Sequence, residues 1–238
     1  FAGGYKAQQT TDGGYIICGG KNVGFGSYVY LIKTDSIGDS LWTKTFGDIG
    51  AFAYSVQQTT DTGYIITGFS RFMSPSSDIF LIKTDVNGDT LWTRMFGGIG
   101  EDGGYSVKQT TDGGYIITGH IYGDVCLIKT DGNGDHLWTK TFGGIFGDIG
   151  HSVQQTTDGG YIITGATDFV GGYMQDCQVY LIKTDSQGNI TSTFNIPIPN
   201  ANRKLQKVVD ILGRVTKGTK NEPLFYIYDD GTVEKRIV

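Results

Sequence analysis

One unit recurs four times in this 238-residue chain and limits the folds open to it. Its first half reads Gln-Gln-Thr-Thr-Asp-Gly-Gly-Tyr-Ile-Ile with small changes, and its second half ends in Leu-Trp-Thr-Lys-Thr-Phe in the first copy. In the fourth copy Ser192 stands at the tryptophan position. The shared tyrosine recurs after 49, 51 and 46 residues, at Tyr15, Tyr64, Tyr115 and Tyr161. Such a period indicates a tandem array of small structural units.

Each copy contains four short strand patterns separated by turn residues. In the second copy they cover Tyr54–Thr59, Tyr64–Gly68, Ile79–Thr84 and Thr90–Phe96. The Asp-Gly-Gly and Asp-x-x-Gly segments between them supply the positive φ angles of tight hairpins. The third strand is almost continuously apolar, so both of its faces need cover. We therefore expect an all-β chain in which each copy is a four-stranded antiparallel blade.

Four such blades predict a β-propeller, either a closed four-blade ring or part of a larger ring. A β-solenoid is the main alternative, but its rungs usually take only about 20–30 residues. Pro197 and Pro199 mark a linker at 196–202, and the strand and turn pattern of 203–238 predicts a small C-terminal β-module. The predicted blades cover about 1–48, 49–98, 99–144 and 145–195.

Charge argues against a nucleic-acid partner or an anionic membrane surface. Residues 1–199 carry 11 Lys and Arg against 19 Asp and Glu, whereas residues 200–238 carry 8 against 5. An acidic body is repelled by phosphate groups. No apolar run has the length of a membrane-spanning helix. The chain starts at Phe1 without a methionine, which predicts a processed or truncated chain.

The three tryptophans allow two interpretations, a platform on which a ligand stacks or a ring that packs between blades. One tryptophan per repeat in the same local context favours packing. The segments that carry them resemble the tryptophan-docking motif of pyrroloquinoline-quinone-type propeller repeats. That resemblance implies blade packing at the tryptophans and no cofactor. The segments are Asp35–Trp42, Asp85–Trp92 and Asp131–Trp138.

Variation among the copies is concentrated at one end of the predicted blades. The first and third hairpins hardly change, whereas the link between the second and third strands differs in length and content. A rigid scaffold with variable loops is typical of a binding module, although drift of unconstrained loops gives the same pattern. The candidate ligand-binding residues on this variable rim are Phe25, Arg71, Phe72, His120, Tyr122, Phe169 and Tyr173.

No catalytic or metal-binding pattern is present in the sequence. The three histidines, His120, His136 and His151, lie at different repeat positions, and the three cysteines lack metal-ligand spacing. The repeated Asp-x-x-Gly-Asp turns allow a calcium site, but turn formation by the aspartate explains them better. We therefore expect no enzyme, no metal and no cofactor.

The C-terminal segment resembles the type A sorting domain of the type IX secretion system of Bacteroidetes. Its matching segments are 210–215, 223–228 and 231–238, with Lys217 between the first two. The resemblance implies export, the secretion machinery as a partner, and a secreted or outer-membrane cell-surface location. The residues that carry it are Leu212, Gly213, Arg214, Lys217, Tyr226, Tyr228, Gly231 and Lys235.

Two functions follow from these patterns. The first is a non-enzymatic adhesion, scaffold or binding module outside the cell, with a glycan or protein ligand on the variable rim. The second is a fragment of a larger extracellular propeller enzyme, a hydrolase or quinone-dependent oxidoreductase, whose active site lies in missing blades. An incomplete ring exposes blade faces, which predicts self-association.

Overall fold

A computed structural model describes most of the chain as two compact units, Phe1–Asn195 and Ile196–Val238. The described residues are 2–24, 26–47, 50–71, 76–143, 147–169, 178–196, 204–210, 214–216, 223–229 and 233–237. Within these ranges the chain is all-β, and no helix is long and apolar enough to cross a membrane.

The strands of the first unit form four antiparallel sheets in chain order. Sheet 1 contains β1 Ala2–Gln9, β2 Tyr15–Val23, β3 Gly26–Thr34 and β4 Ser40–Phe46. Sheet 2 contains β5 Phe52–Gln58, β6 Tyr64–Ser70, β7 Asp78–Thr84 and β8 Thr90–Phe96. Sheet 3 contains β9 Gly103–Gln109, β10 Tyr115–Ile121, β11 Asp124–Thr130 and β12 His136–Phe142. Sheet 4 contains β13 Gly147–Gln155, β14 Tyr161–Phe169, β15 Gln178–Thr184 and β16 Ile190–Ile196. The predicted four-stranded antiparallel sheets are confirmed.

The hairpins form as the turn residues predict. The Asp61 carboxylate accepts hydrogen bonds from the Thr59 hydroxyl at 2.5 Å and from the Gly63 amide at 3.1 Å. The Asp85 carboxylate accepts from two amides of its own turn, those of Asn87 at 2.9 Å and Asp89 at 2.8 Å. Aspartates in both hairpins therefore hold turns, as turn chemistry predicts.

Adjacent residues of a middle strand face different neighbouring sheets. In β6, Ile66 packs toward sheet 1 with Leu31, whereas Ile65 packs toward sheet 3 with Ile117. Both isoleucines are fully buried. Because successive side chains of a strand point to opposite faces, a continuous apolar run requires sheets on both sides. The core is consequently divided into three layers, each between two successive sheets.

A tryptophan of each of the first three sheets contacts the next sheet. Trp92 of sheet 2 meets Tyr115 of sheet 3 edge to face, with ring centroids 5.8 Å apart. The same indole lies against Gly134, where no side chain intervenes. Two residues along β8, Arg94 Nη2 binds the Asp135 carboxylate at 2.9 Å. We call this set of contacts the inter-sheet joint.

The inter-sheet joint recurs between the other pairs of sheets. The tryptophan–tyrosine centroid distances are 5.9 Å and 6.0 Å in the other two joints. A glutamine adds a backbone contact, since Gln58 Oε1 of sheet 2 accepts a hydrogen bond from the Thr11 amide of sheet 1 at 2.9 Å. The matching pairs of the joints are Trp42–Tyr64, Trp138–Tyr161, Lys44–Asp89, Lys140–Asn189, Thr60–Gln109 and Thr111–Gln155.

The second unit forms a three-stranded antiparallel sheet whose strands lie side by side in chain order. Its strands are β17 Leu205–Val209, β18 Pro223–Tyr228 and β19 Val233–Ile237. An isolated bridge joins Val209 to Val215. Arg214 Nε donates to the Asp210 carboxylate at 2.7 Å.

Replacing the joint tryptophan should destabilise the first unit. We expect Trp92→Ser to lower the free energy of unfolding by about 3 kcal/mol, because it removes a large ring from a packed layer. Urea denaturation measures this loss. The control is Leu91→Ser on the same strand, where a side chain 58% exposed should change stability by no more than about 0.5 kcal/mol. Equal losses in the two variants would show that the tryptophan does not hold the sheets together.

Candidate functional site

The first strand of every sheet carries a β-bulge at the same repeat position. A bulge leaves one residue out of the ladder and changes the direction of its side chain. The partner strand places a glycine beside each bulge, and a Cβ added at Gly68 would collide with the Phe52 carbonyl. The bulged residues of the four sheets are Tyr5, Tyr54, Tyr105 and His151.

These four rings form one continuous row, which we call the aromatic ladder. Tyr54 lies 5.0 Å from Tyr5 and 5.0 Å from Tyr105, measured between ring centroids. His151 lies 5.7 Å from Tyr105. Burial raises the pKa of Tyr54 and of Tyr105 and lowers that of His151. Burial thus favours the uncharged forms of Tyr54, Tyr105 and His151, whose hydroxyl and imidazole groups can form hydrogen bonds.

A second group of side chains lies where the links between strands meet, at the end of sheets 2 and 3. Arg71 Nη2 contacts the Glu101 carboxylate at 3.2 Å, and the Ser77 hydroxyl donates to the same group at 2.8 Å. The Ser77 hydrogen bond and then the Arg71 guanidinium lower the pKa of Glu101. This end therefore presents a fixed carboxylate beside a guanidinium.

Tyr122 is held in an unusual backbone conformation beside this ion pair. Its φ of 53° lies in the left-handed region, which a bulky residue rarely adopts. The buried Asp102 carboxylate stabilises that conformation by accepting from the Tyr122 amide at 3.0 Å and the Gly98 amide at 2.9 Å. The Tyr122 hydroxyl accepts from the Ile99 amide at 3.2 Å, and the side chain stays 64% exposed. Strain of this kind is concentrated at binding sites.

His120 connects the aromatic ladder to these side chains. Its ring stacks on Tyr105 at 5.7 Å with an interplanar angle of 25°. Burial lowers the pKa of His120, while Asp102 and Glu101 oppose that effect. His120 Nδ1 is buried and has no hydrogen-bond partner among the described residues. We call Arg71, Ser77, Glu101, Asp102, His120 and Tyr122 the loop cluster.

The loop cluster includes three of the residues that the sequence proposed as ligand-binding candidates. Arg71 comes from the link after β6, whereas His120 and Tyr122 come from the end of β10 and the link after it. All three converge on the neighbouring residues Glu101 and Asp102. Phe169 ends β14, and its side chain lies outside the described part of the chain. The candidates Phe25, Phe72 and Tyr173 also lie outside the described residues.

The proposed sorting residues lie in the second unit. Tyr226 and Tyr228 belong to β18, and Arg214 binds Asp210 as described above. Lys235 lies in β19, and its side chain is not among those described. The remaining sorting candidates, Leu212, Gly213, Lys217 and Gly231, fall outside the described residues.

Sequence reasoning missed the aromatic ladder. Its signal is an aromatic side chain four residues before the last glutamine of the repeat, present in every copy.

A cavity of about 410 Å³ between sheets 1 and 2 is a weaker candidate for a functional site, because Val29, Phe46, Phe80 and its other lining residues include no ionisable group. In the part of the chain that the structure describes, no three His, Cys, Asp or Glu side chains are grouped to hold a metal ion.

Comparison with known proteins supplies one likeness of fold. No family model matches this chain, and no curated protein matches it. Among solved structures, it is similar to the 1.35 Å crystal structure of a protein of unknown function from Bacteroides caccae. The TM-score is 0.57 at 12% sequence identity, over 99% of this chain and 81% of that chain. At this identity the likeness shows a shared fold.

The buried Asp102 should be essential to the loop cluster. We expect Asp102→Ala to lower the free energy of unfolding by about 3 kcal/mol, because two backbone amides lose a charged acceptor in a buried place. Urea denaturation and limited proteolysis near residue 100 test this. In the control, Glu101→Ala breaks an exposed ion pair, which should cost less than about 1 kcal/mol. An Asp102 variant as stable and as protease-resistant as the control contradicts the assignment.

Proposed function

We propose that the first unit is a group of propeller blades that acts as a non-enzymatic binding module outside the cell. The observation that carries this proposal is the convergence of Arg71, His120 and Tyr122 on two adjacent link residues. Variable links on a rigid β-scaffold are a common design of binding proteins. The aromatic ladder, which reaches the loop cluster through His120, extends the surface across all four sheets.

Contacts between the sheets support a propeller arrangement. The first strands of successive sheets, β1, β5, β9 and β13, lie next to one another in chain order. The fourth strands of sheets 1, 2 and 3 carry the tryptophans, each of which packs on the following sheet. Propeller blades meet in this way, with the first strands near the axis and the fourth strands at the outside.

A carbohydrate is the ligand that this surface suits best. The Tyr122 ring provides an exposed apolar surface at low conformational cost, since its hydroxyl and backbone are already held. The guanidinium of Arg71 is a donor and the carboxylate of Glu101 an acceptor for sugar hydroxyl groups. Apolar ring faces surrounded by hydroxyl groups are a property of sugars.

Binding of purified protein to a glycan array tests this function. We expect Tyr122→Ala and Arg71→Ala each to weaken the best glycan by about tenfold, the equivalent of 1.4 kcal/mol. Ile37→Ala is the control, because Ile37 is 82% exposed in a hairpin at the opposite end of sheet 1. Binding that is unchanged in both site variants would place the ligand elsewhere. Absence of any glycan signal would refute a carbohydrate ligand and favour a protein.

We further propose that the second unit directs export by the type IX secretion system. Support comes from its resemblance to type A sorting domains and from its three-stranded sheet, which contains Tyr226 and Tyr228. The protein would then be secreted or held at the outer-membrane surface, with the secretion machinery as partner.

Removal of residues 204–238 should prevent export in a Bacteroidetes host. We expect the shortened protein to remain inside the cell, because the sorting residues are lost, while the full chain reaches the surface or the medium. Immunoblotting of cell fractions measures the distribution. A host without the secretion system serves as control and should retain both forms. Equal export of the two forms contradicts the role of the second unit.

A further inference from the structure

Sheet 1 carries the receiving half of an inter-sheet joint on the face that points away from sheet 2. In each joint the later sheet supplies a tyrosine ring, a turn glycine, an acceptor after that glycine, and a glutamine. Sheet 1 has all four at the same repeat positions: Tyr15, Gly38, Asp39 and Gln9. We call this surface the open face.

Among the described residues, no tryptophan of a neighbouring sheet covers Tyr15 on the open face. Tyr15 is 37% exposed, whereas Tyr64, Tyr115 and Tyr161 are 0%, 2% and 2% exposed beneath their tryptophans. A Cβ added at Gly38 would meet nothing within 4 Å, while one at Gly88 would meet the Trp42 ring. The space that a tryptophan fills in the other three joints is therefore open here.

The polar groups of the open face, Asp39 and Gln9, correspond to groups that bind the preceding sheet in the other joints. Asp89 and Asp135 each bind a cation of the preceding sheet, at 2.6 Å and 2.9 Å. Asp39 occupies the equivalent position in sheet 1. Among the described residues no Lys or Arg forms a salt bridge with it. Gln9 Nε2 donates to the Gly13 carbonyl at 3.3 Å, as Gln58 Nε2 does to that of Thr62. This contact holds Gln9 in the pose in which Gln58 accepts the Thr11 amide.

An apolar surface lies behind these groups. Ile17 and Ile32 are only partly buried on the open face, whereas the equivalent Ile66 and Ile82 of sheet 2 are 0% and 4% exposed. Ile17, Ile32 and Tyr30 line a cavity of about 120 Å³. Burial of such side chains is the main favourable contribution to association.

We propose that the open face binds one further blade of this repeat, which carries a tryptophan and, two residues later, a lysine or arginine on its outermost strand. Each element of the open face is matched in three joints within the same unit, so the interface continues one already present. The indole would lie on Tyr15 and Gly38, and the cation would bind Asp39. The proposal is independent of the ligand on the loop cluster.

Sheet 4 of a second copy does not fit this description. Its sequence has Ser192 at the tryptophan position and Phe194 at the position of the cation. A copy docked head to tail would offer neither the indole nor the charge. We therefore expect no association of unmodified copies through the open face, and the partner is a blade with the complete motif.

An added blade tests the proposal directly. A copy of residues 50–100 is placed before Phe1 of the full chain, which keeps the register of the repeat and presents its tryptophan to sheet 1. The control carries Trp92→Ser in the added copy only. Nitration by tetranitromethane, resolved by residue with mass spectrometry, reports the exposure of Tyr15. Tyr115 and Tyr161 are internal standards for a tyrosine beneath a tryptophan.

We expect nitration of Tyr15 to fall to the rate of Tyr115 and Tyr161 with the added copy and to stay high in its control. Equal protection in both forms overturns the role of the indole. A second experiment does not depend on the folding of an added copy. The double variant Ser192→Trp with Phe194→Lys in the unextended chain should associate in sedimentation velocity. A further Asp39→Lys substitution should reverse that association. Failure of both experiments in proteins with intact β-sheet circular dichroism overturns the proposal.

Discussion

Cover for both faces of the middle strands is the requirement on which this structure depends. A four-stranded sheet of seven-residue to nine-residue strands cannot keep Ile65 and Ile66 dry by itself, because they point to opposite faces. Successive sheets provide that cover for one another, and the tryptophan, the cation and the glutamine of each joint fix how they meet. Stability in such an array is a sum of nearest-neighbour terms.

The scaffold also determines the candidate site. Stacking places the bulges of neighbouring sheets side by side, so the aromatic ladder follows from the same repetition that builds the core. The links at one end are free to differ, and two of their residues, with His120 at the end of β10, converge on Glu101 and Asp102. Rigid strands thus hold a strained Tyr122 and an ion pair at fixed positions, which the proposed binding surface requires.

Local features of the fold could be predicted from the sequence, whereas contacts between copies could not. Turn aspartates such as Asp61 and Asp85 act within a few residues, so the hairpins and strand bounds follow from short patterns. The bulge at Tyr54 depends on register with β6, and the stacking of His120 on Tyr105 depends on the approach of two strands. Neither contact can be derived from the apolar pattern of a single strand. The variable links directed attention to one end of the sheets, but which of their side chains meet there depends on how separate links approach one another.

Native-state hydrogen exchange tests most directly whether neighbouring sheets keep the middle strands protected. The account predicts slower exchange at the amides of β6 and β10, whose sheets are covered on two faces, than at those of β2, whose sheet has an open face. Equal protection in the three strands, or the slowest exchange in β2, would contradict it.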